Sequence, residues 1–375
     1  MDTKLRSSRA YKRQYSLCIS NTLVKNCVKY NIEQITHICY QIARAASLYN
    51  VVELVVMDTE DEAESGDKTN PGEFKEVGPK GQKKIKFDEI LEPKGTSSVE
   101  ESQHKPPVYS PECMIILVLL QFFVTPPYLV KSIFTKEQQK YLKYAKKLPM
   151  IPTLPFMQNG EVHATYKEGL SVPQYSSTIH VKRWKTPDGK IKKRKRGSNN
   201  LKTRFVNIGR DTLFELEKGQ EVPMNVRVTV DLKNKTVVSP LDAYGITGLK
   251  SSFGYSVRAV KEFHQIYTES GNPDGYSRSC FVEAGDFFVN QSHTQDHNME
   301  KLPIIDNSEE FKDGQEHLLV VITRWKELQE FFKADNSEML KEIETCESMF
   351  DNRLEIINGT KVEDAVLIAL AKLES

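Results

Sequence analysis

The chain has 375 residues, enough for two or three domains, and 39% of them are hydrophobic, enough for a real core. Lys plus Arg (52) balances Asp plus Glu (51), so the net charge of +1 gives no global field and any polyanion-binding surface has to be local. The six cysteines are scattered without a C-x-x-C pair, which suggests neither a zinc site nor a disulfide framework and fits a reducing compartment.

Residues 1–13 read as a basic tail. Arg6, Arg9, Lys12 and Arg13 could touch a nucleic acid, but a solvated tail is the plainer reading. No apolar segment opens the chain, so no secretory signal is expected. Tyr15–Ser20 reads as a strand. Over Asn31–Asn50, Ile32, Ile35, Ile38, Ile42, Ala45, Ala46 and Tyr49 recur at helical spacing, and Val51–Met57 (V-V-E-L-V-V-M) follows as a buried strand. Strand, helix and strand with tight connections predict a right-handed, parallel βαβ unit. Arg44 lies mid-helix between small residues, where an arginine can be solvated or can point into a site.

Thr59–Pro107 is rich in Glu, Lys, Gly, Pro and Ser and reads as a mobile insertion. Cys113–Phe134 reads as helix broken at Pro126-Pro127. Its apolar run, Cys113–Val124, is about half the length a bilayer span needs, so a buried helix is expected and no membrane role. Lys136–Lys147 is a charged amphipathic piece, and Pro149, Pro152 and Pro155 mark a domain boundary. Residues 14–168 form the first part of an α/β domain on this reading, residues 169–249 an inserted all-β unit, and residues 250–375 the rest of the α/β domain.

Within the inserted unit Thr178–Lys182, Lys202–Ile208, Asn225–Val230 and Thr236–Val238 are expected strands, with Val226, Val228 and Val230 on one face; a small barrel is predicted. Lys182–Arg196 reads K-R-W-K-T-P-D-G-K-I-K-K-R-K-R, with nine basic residues of fifteen about a Pro-Asp-Gly turn. So many cations on one hairpin repel each other unless a polyanion neutralises them. Lys182, Arg183, Lys185, Lys192, Lys193, Arg194, Lys195 and Arg196 are the candidate phosphate contacts, and Trp184 can stack on an unpaired base. A nuclear or nucleolar localisation signal fits the same run, and the two roles can coexist.

Two β-loop-α units end the chain. Leu318–Ile322 is a buried strand, Thr323 an N-cap candidate, and Trp325, Leu328, Phe331 and Phe332 line the next helix. Leu354–Ile357 is a second buried strand and Asn358-Gly359 a turn. Thr360-Lys361-Val362-Glu363 has capping-box spacing, and Val362, Ala365, Val366, Ala369, Leu370 and Leu373 line the last helix. Successive units of this kind imply a parallel sheet whose ligand-binding loops gather at the carboxyl ends of the strands.

Five blocks in order resemble an RNA methyltransferase family of the SPOUT superfamily: Gln41–Asp58, the P-x-Y-L-x-K-x-x-F segment Tyr128–Phe134, F-V-N-I-G at Phe205–Gly209, G-Y-S-V-R at Gly254–Arg258, and D-G-Y at Asp274–Tyr276. The resemblance implies a trefoil-knotted α/β domain with helices on both sheet faces and an inserted OB-like barrel. It implies S-adenosylmethionine bound in the knot, no metal, and a homodimer or a heterodimer with a paralogue. RNA, ribosomal RNA of pre-ribosomal particles in the nucleus or nucleolus, is the implied partner. Arg44 and Arg258 would orient the base or phosphate, and Glu283 would serve as acid or base.

The cofactor loops would follow Cys280, Ile322 and Ile357, with Gly285, Ile322, Thr323, Arg324, Ile357, Asn358, Gly359 and Thr360 at the ligand. Each departs from the family pattern. Phe281–Asp286 replaces a glycine-rich stretch, Thr323-Arg324 leads straight into bulky Trp325, and Asn358-Gly359-Thr360 is a shortened last loop. Glycine permits close backbone approach to an adenosine where larger residues block it. Two readings stay open: an RNA-binding protein with weakened or lost cofactor binding, acting in large-subunit assembly, and an active uridine methyltransferase. The altered loops favour the first.

Overall fold

The computed structural model describes residues 13–25, 31–49, 51–59, 109–157, 164–173, 202–239, 243, 254–272, 274–285, 301–305 and 316–374. The basic hairpin 182–196, nearly all of the insertion, residues 1–12 of the tail and the expected strand Thr178–Lys182 lie outside the described residues.

The principal elements run β1 (Arg13–Ser20), α1 (Ile32–Leu48), β2 (Val51–Met57), α2 (Pro111–Phe123), β3 (Tyr166–Ser171), β4 (Lys202–Thr203), β5 (Phe205–Asn207) and β6 (Phe214–Glu215). They continue with β7 (Val222–Pro223), β8 (Arg227–Asp231), β9 (Thr236–Val238), β10 (Ser256–Val260), β11 (Arg278–Glu283), β12 (Glu316–Thr323), α3 (Trp325–Ala334), β13 (Asn352–Arg353) and α4 (Val362–Glu374). The α/β class is as expected. Six strands pair in the order β10-β2-β1-β12-β11-β13, all parallel.

A parallel sheet is covered on both faces, so its central strands read as unbroken apolar runs. All eight residues of β12 are buried. On one face Leu17, Ile19, Leu54 and Val56 pack against α1, α2 and α4; on the other Cys18, Val55, Phe281 and Val321 pack against α3 and the short helix Gln265–Thr268. α1 starts on a capping box: Gln34 N–H donates to Asn31 Oδ1 (2.9 Å) and Asn31 N–H to Gln34 Oε1 (3.0 Å). The apolar run Cys113–Val124 forms most of α2 and its C-cap, with eight of its twelve residues buried. Among the described residues no helix is long and apolar enough to cross a membrane. The five described cysteines are free and buried.

Several expectations are corrected. Arg13 is not tail: it opens β1, where its Nε binds Glu316 Oε2 (3.0 Å) and its Nη1 donates to the Leu373 carbonyl (2.7 Å), tying the first strand to the last helix. Leu354–Ile357 is not a strand. Pairing at this sheet edge stops at Arg353, and Ile357 is 76% exposed. Val226 precedes β8 and is exposed, whereas Val228 and Val230 are core.

The inserted unit is a curled antiparallel sheet, β6-β5-β3-β8-β9, beside the β4-β7 pair. Its two edges are joined by single bonds rather than by a strand ladder. Glu217 N–H donates to Lys235 O (2.9 Å), and the Gln220 amide stands in for a backbone partner, accepting from Val237 N–H (2.8 Å) and donating to Val237 O (3.3 Å).

Two of the resemblance blocks, Tyr128–Phe134 and Phe205–Gly209, meet where this sheet docks on the α/β body. Tyr128 Oη donates to Glu168 O (2.9 Å) and Asn207 Nδ2 to Ser132 Oγ (2.8 Å). Gly209 has φ +78°, and a Cβ there would lie 2.5 Å from the Tyr128 ring, so glycine is required on two counts. Beneath this contact Arg227 Nε donates to Glu168 Oε2 (2.9 Å), and its Nη2 reaches the Val124 carbonyl (2.7 Å) just past α2. The Glu168 side chain is fully buried; burial pushes its carboxyl pKa up and the Arg227 guanidinium opposes this. Removing one partner of a buried ion pair strands the other charge. Arg227→Ala is therefore expected to cost about 3–5 kcal/mol in chemical denaturation. Arg227→Met with Glu168→Leu should recover most of that loss.

Candidate functional site

The carboxyl ends of β11 and β12 and the loop before α4 come together, as the sequence predicts for cofactor loops. Ala284 N–H donates to Thr323 O (3.2 Å) and Gly285 N–H to Thr360 O (2.9 Å). Ile322 and Thr323 are buried at the end of β12, Arg324 and Gly359 are half-buried, and Asn358 is exposed. Gly359 has φ +82°, the left-handed conformation that a tight turn into α4 demands. Thr360 does not cap α4: its hydroxyl donates to Ile357 O (2.5 Å), closing that turn, and Lys361 O accepts the first helical bonds instead.

Thr323 does not cap α3 either. It ends β12, and its Oγ1 donates to Glu327 Oε2 (3.0 Å). The same oxygen accepts from Thr22 Oγ1 (2.8 Å), which draws the segment after β1 into the cluster. The first N–H of α3, that of Trp325, is taken by Glu283 Oε2 from the neighbouring strand (2.9 Å). A carboxylate at a helix N-terminus suits the dipole. Burial nevertheless dominates and raises the Glu283 pKa to about 7, against the lowering effects of the Trp325 N–H and of Arg324. Trp325 packs edge-on against Phe281 (ring centroids 4.8 Å apart) and is buried.

The other two candidate residues lie elsewhere. Arg258 shares a sheet face with Val260 and Val55, four strand spacings from β11, on the order of 19 Å across the sheet. It is held near the amino ends of the strands by Glu53 Oε1 (2.9 Å), the carbonyls of Gln265 (2.9 Å) and Ile266 (2.8 Å), and Tyr276 Oη (3.2 Å). Tyr276 Oη in turn donates to Glu53 Oε2 (2.8 Å). This network joins three resemblance blocks and ties β10 to β2 and to Tyr276. Arg44 is exposed on α1, which covers the opposite face of the sheet. Within one chain, then, Arg44, Arg258 and Glu283 do not form one site.

Sequence reasoning passed over Glu53, Tyr276 and His317. Glu53 and His317 line a cavity of about 230 Å³ together with Gln14, Val52, Ser256, Gly271 and Asn272. His317 bonds Ser16 Oγ and the Asn272 side chain (both 2.8 Å), and burial lowers its pKa. The signal was present: Glu53 is the single charge in an otherwise apolar strand. Elsewhere Glu262, His264 and Asp335 each bring a ligand-type atom within 4.8 Å of the others. Asp335 already accepts from His264 N–H, His264 Nδ1 and Ser337 N–H, which fastens the turn after β10 to the end of α3.

The family model "Putative RNA methyltransferase" matches residues 14–373, and the chain belongs to that family. A Saccharomyces cerevisiae protein named "Putative methyltransferase YMR310C" is 31% identical over 366 residues, covering 97% of this chain and 94% of its own. A second yeast protein, "Putative methyltransferase YGR283C", is 32% identical over 328 residues, 87% of this chain and 77% of its own. The human "28S rRNA (uridine-N(3))-methyltransferase" is 27% identical over 249 residues, 64% of this chain and half of its own length.

The raised Glu283 pKa fixes a pH signature. The folded protein holds this proton up to about pH 7, whereas an unfolded carboxyl releases it near 4.5. The group therefore lowers stability progressively as pH rises from about 4.5 through 7. Glu283→Gln should remove that trend. Its melting temperature relative to the parent is expected to rise between pH 5 and pH 8 in a thermal unfolding series.

Proposed function

We propose that this chain is an RNA-binding protein built on a SPOUT-type knotted domain with an OB-like inserted barrel, acting on ribosomal RNA within pre-ribosomal particles of the nucleus or nucleolus. Its binding of S-adenosylmethionine is weakened or lost. The observation that carries this reading is how the three loops spend their backbone groups. Adenosine held between loops needs N–H and C=O groups that face it and backbone it can approach closely. Here the Gly285 and Ala284 N–H groups go to neighbouring loops, and the Trp325 N–H goes to Glu283. The turn after β12 is Thr323-Arg324 with buried Trp325 behind it. The residues present do not fit the cofactor. Exposed Leu48 on α1, Leu367 on α4 and Ile357 before it support a protein partner on this side, a second copy or a paralogue.

A second reading, methyl transfer to a uridine of ribosomal RNA, is favoured by Glu283. A carboxyl with a pKa near 7 at the meeting point of the loops can take or give a proton at neutral pH. The name of the human relative points the same way.

Filter binding of large-subunit ribosomal RNA, followed by incubation with methyl-labelled S-adenosylmethionine, separates the two. We expect salt-sensitive RNA binding, a salt slope reduced by about 3.5–4.5 on neutralising Lys192, Lys193, Arg194, Lys195 and Arg196, and no label in the RNA. Label entering uridine, and lost in Glu283→Gln, would establish the second reading. Absence of RNA binding would sink both.

A further inference from the structure

We infer that the seam between the antiparallel sheet and the α/β body is a second RNA-backbone contact surface, separate from the basic hairpin, formed by Lys131, Lys167 and Arg210 around Tyr128 and continued by Lys140, Lys143 and Lys147 around Tyr144. The inference rests on the RNA-binding reading above and assigns it a surface.

Tyr128 is the centre of the seam and cannot swing away: its hydroxyl is bonded to Glu168 O, and Gly209 lies against its ring. Lys167 on β3 places its ammonium 4.8 Å from the centroid of that ring. Arg210, exposed and next to Gly209, acts on Lys167 as a like charge, and together with burial it lowers the Lys167 pKa. Lys131 is exposed one residue before Ser132, which bonds Asn207 of β5. Lys167 thus lies against a fixed ring, with Arg210 electrostatically coupled to it and Lys131 exposed three residues beyond Tyr128 on the α/β side of the seam.

The segment that follows repeats the arrangement. Lys140, Lys143 and Lys147 are exposed at helical spacing on consecutive 3₁₀ turns. Lys143 and Lys147 stand 5.2 and 5.4 Å from the Tyr144 centroid. The acidic residues nearest in sequence are Glu137, Glu168, which is buried and paired with Arg227, and Asp211, and none of the six cations forms an ion pair among the described residues. Leaving like charges together unneutralised is unfavourable, and a phosphodiester chain relieves it while releasing counterions. An RNA strand is favoured over an acidic peptide by continuity. In the sequence the basic run 182–196 falls between β3, which carries Lys167, and β4. Aromatic rings flanked by cations also suit a strand with exposed bases.

The test uses the full chain and an RNA stem-loop with a uridine-rich loop, with affinity measured across a salt series. Lys131→Gln/Lys167→Gln/Arg210→Gln should lower the slope of log K against log salt by about 2–3. Neutralising the hairpin instead should leave binding that RNA-protected lysine acylation maps to Lys131, Lys140, Lys143 and Lys147. An unchanged slope and no protection, with hairpin-dependent binding intact, would overturn this inference and leave the proposed function standing. No RNA binding by the parent would overturn both. The acylation footprint needs no substitution, so a poorly folded variant does not decide the outcome.

Discussion

The pairing of β1 with β12 is the constraint on which the rest depends. Seven registered pairs, from Arg13–Glu316 to Ile19–Ile322, join strands whose first residues are 303 positions apart. Bringing such distant segments together costs chain entropy that only extensive burial repays. The strands supply it, since Leu17, Cys18 and Ile19 and the whole of β12 are buried. With that pair in place, β2 and β10 add on one side and β11 and β13 on the other. All strands point the same way, so polar side chains collect at the sheet's two ends. The amino end holds the Glu53–Arg258–Tyr276 network, and the carboxyl end holds the loops around Glu283. Those ends are chemically distinct: in one, Glu53 and Arg258 are paired; in the other, burial raises the Glu283 carboxyl toward neutrality against the lowering effects of the Trp325 N–H and Arg324.

The docked antiparallel sheet is governed by a different balance. A buried Glu168–Arg227 pair costs desolvation that its Coulomb attraction barely returns. What the pair gives is orientation, because the same guanidinium also binds Val124 O beyond α2. With Tyr128 against Gly209 and Ser132 bonded to Asn207, the junction is fixed at three points. A fixed junction is what allows cations from both layers to act as one surface.

Much of this was legible in the sequence. The apolar runs of β1, β2 and β12 and the 3.6-residue periodicity of α1 and α3 name their own structures, and the convergence of the last loops follows from parallel topology. The misses have physical reasons. Leu354–Ile357 looks like a core strand, yet it lies beyond the last residues that pair at the sheet edge, so Leu354 is buried while Ile357 is left exposed. Thr360 and Thr323 carry capping signals, but a hydroxyl can close its own turn or bind a nearby carboxylate instead, and composition does not say which. Helical spacing showed that Arg44 is on α1 without showing which side of the sheet α1 covers. Arg258 was readable only together with Glu53, whose charge inside an apolar strand demands a partner.

The chain belongs to a putative RNA methyltransferase family, and among the described residues at the carboxyl end of the sheet Ala284, Gly285 and Trp325 spend their N–H groups on Thr323, Thr360 and Glu283. Whether that arrangement excludes the methyl donor is the central claim. The most direct measurement is calorimetric titration of the full chain with S-adenosylmethionine and S-adenosylhomocysteine, alone and with ribosomal RNA bound. The account predicts no heat of binding in either state. Micromolar affinity for either ligand would contradict it, because it would mean that the Gly285–Thr360 and Trp325–Glu283 contacts open to admit an adenosine.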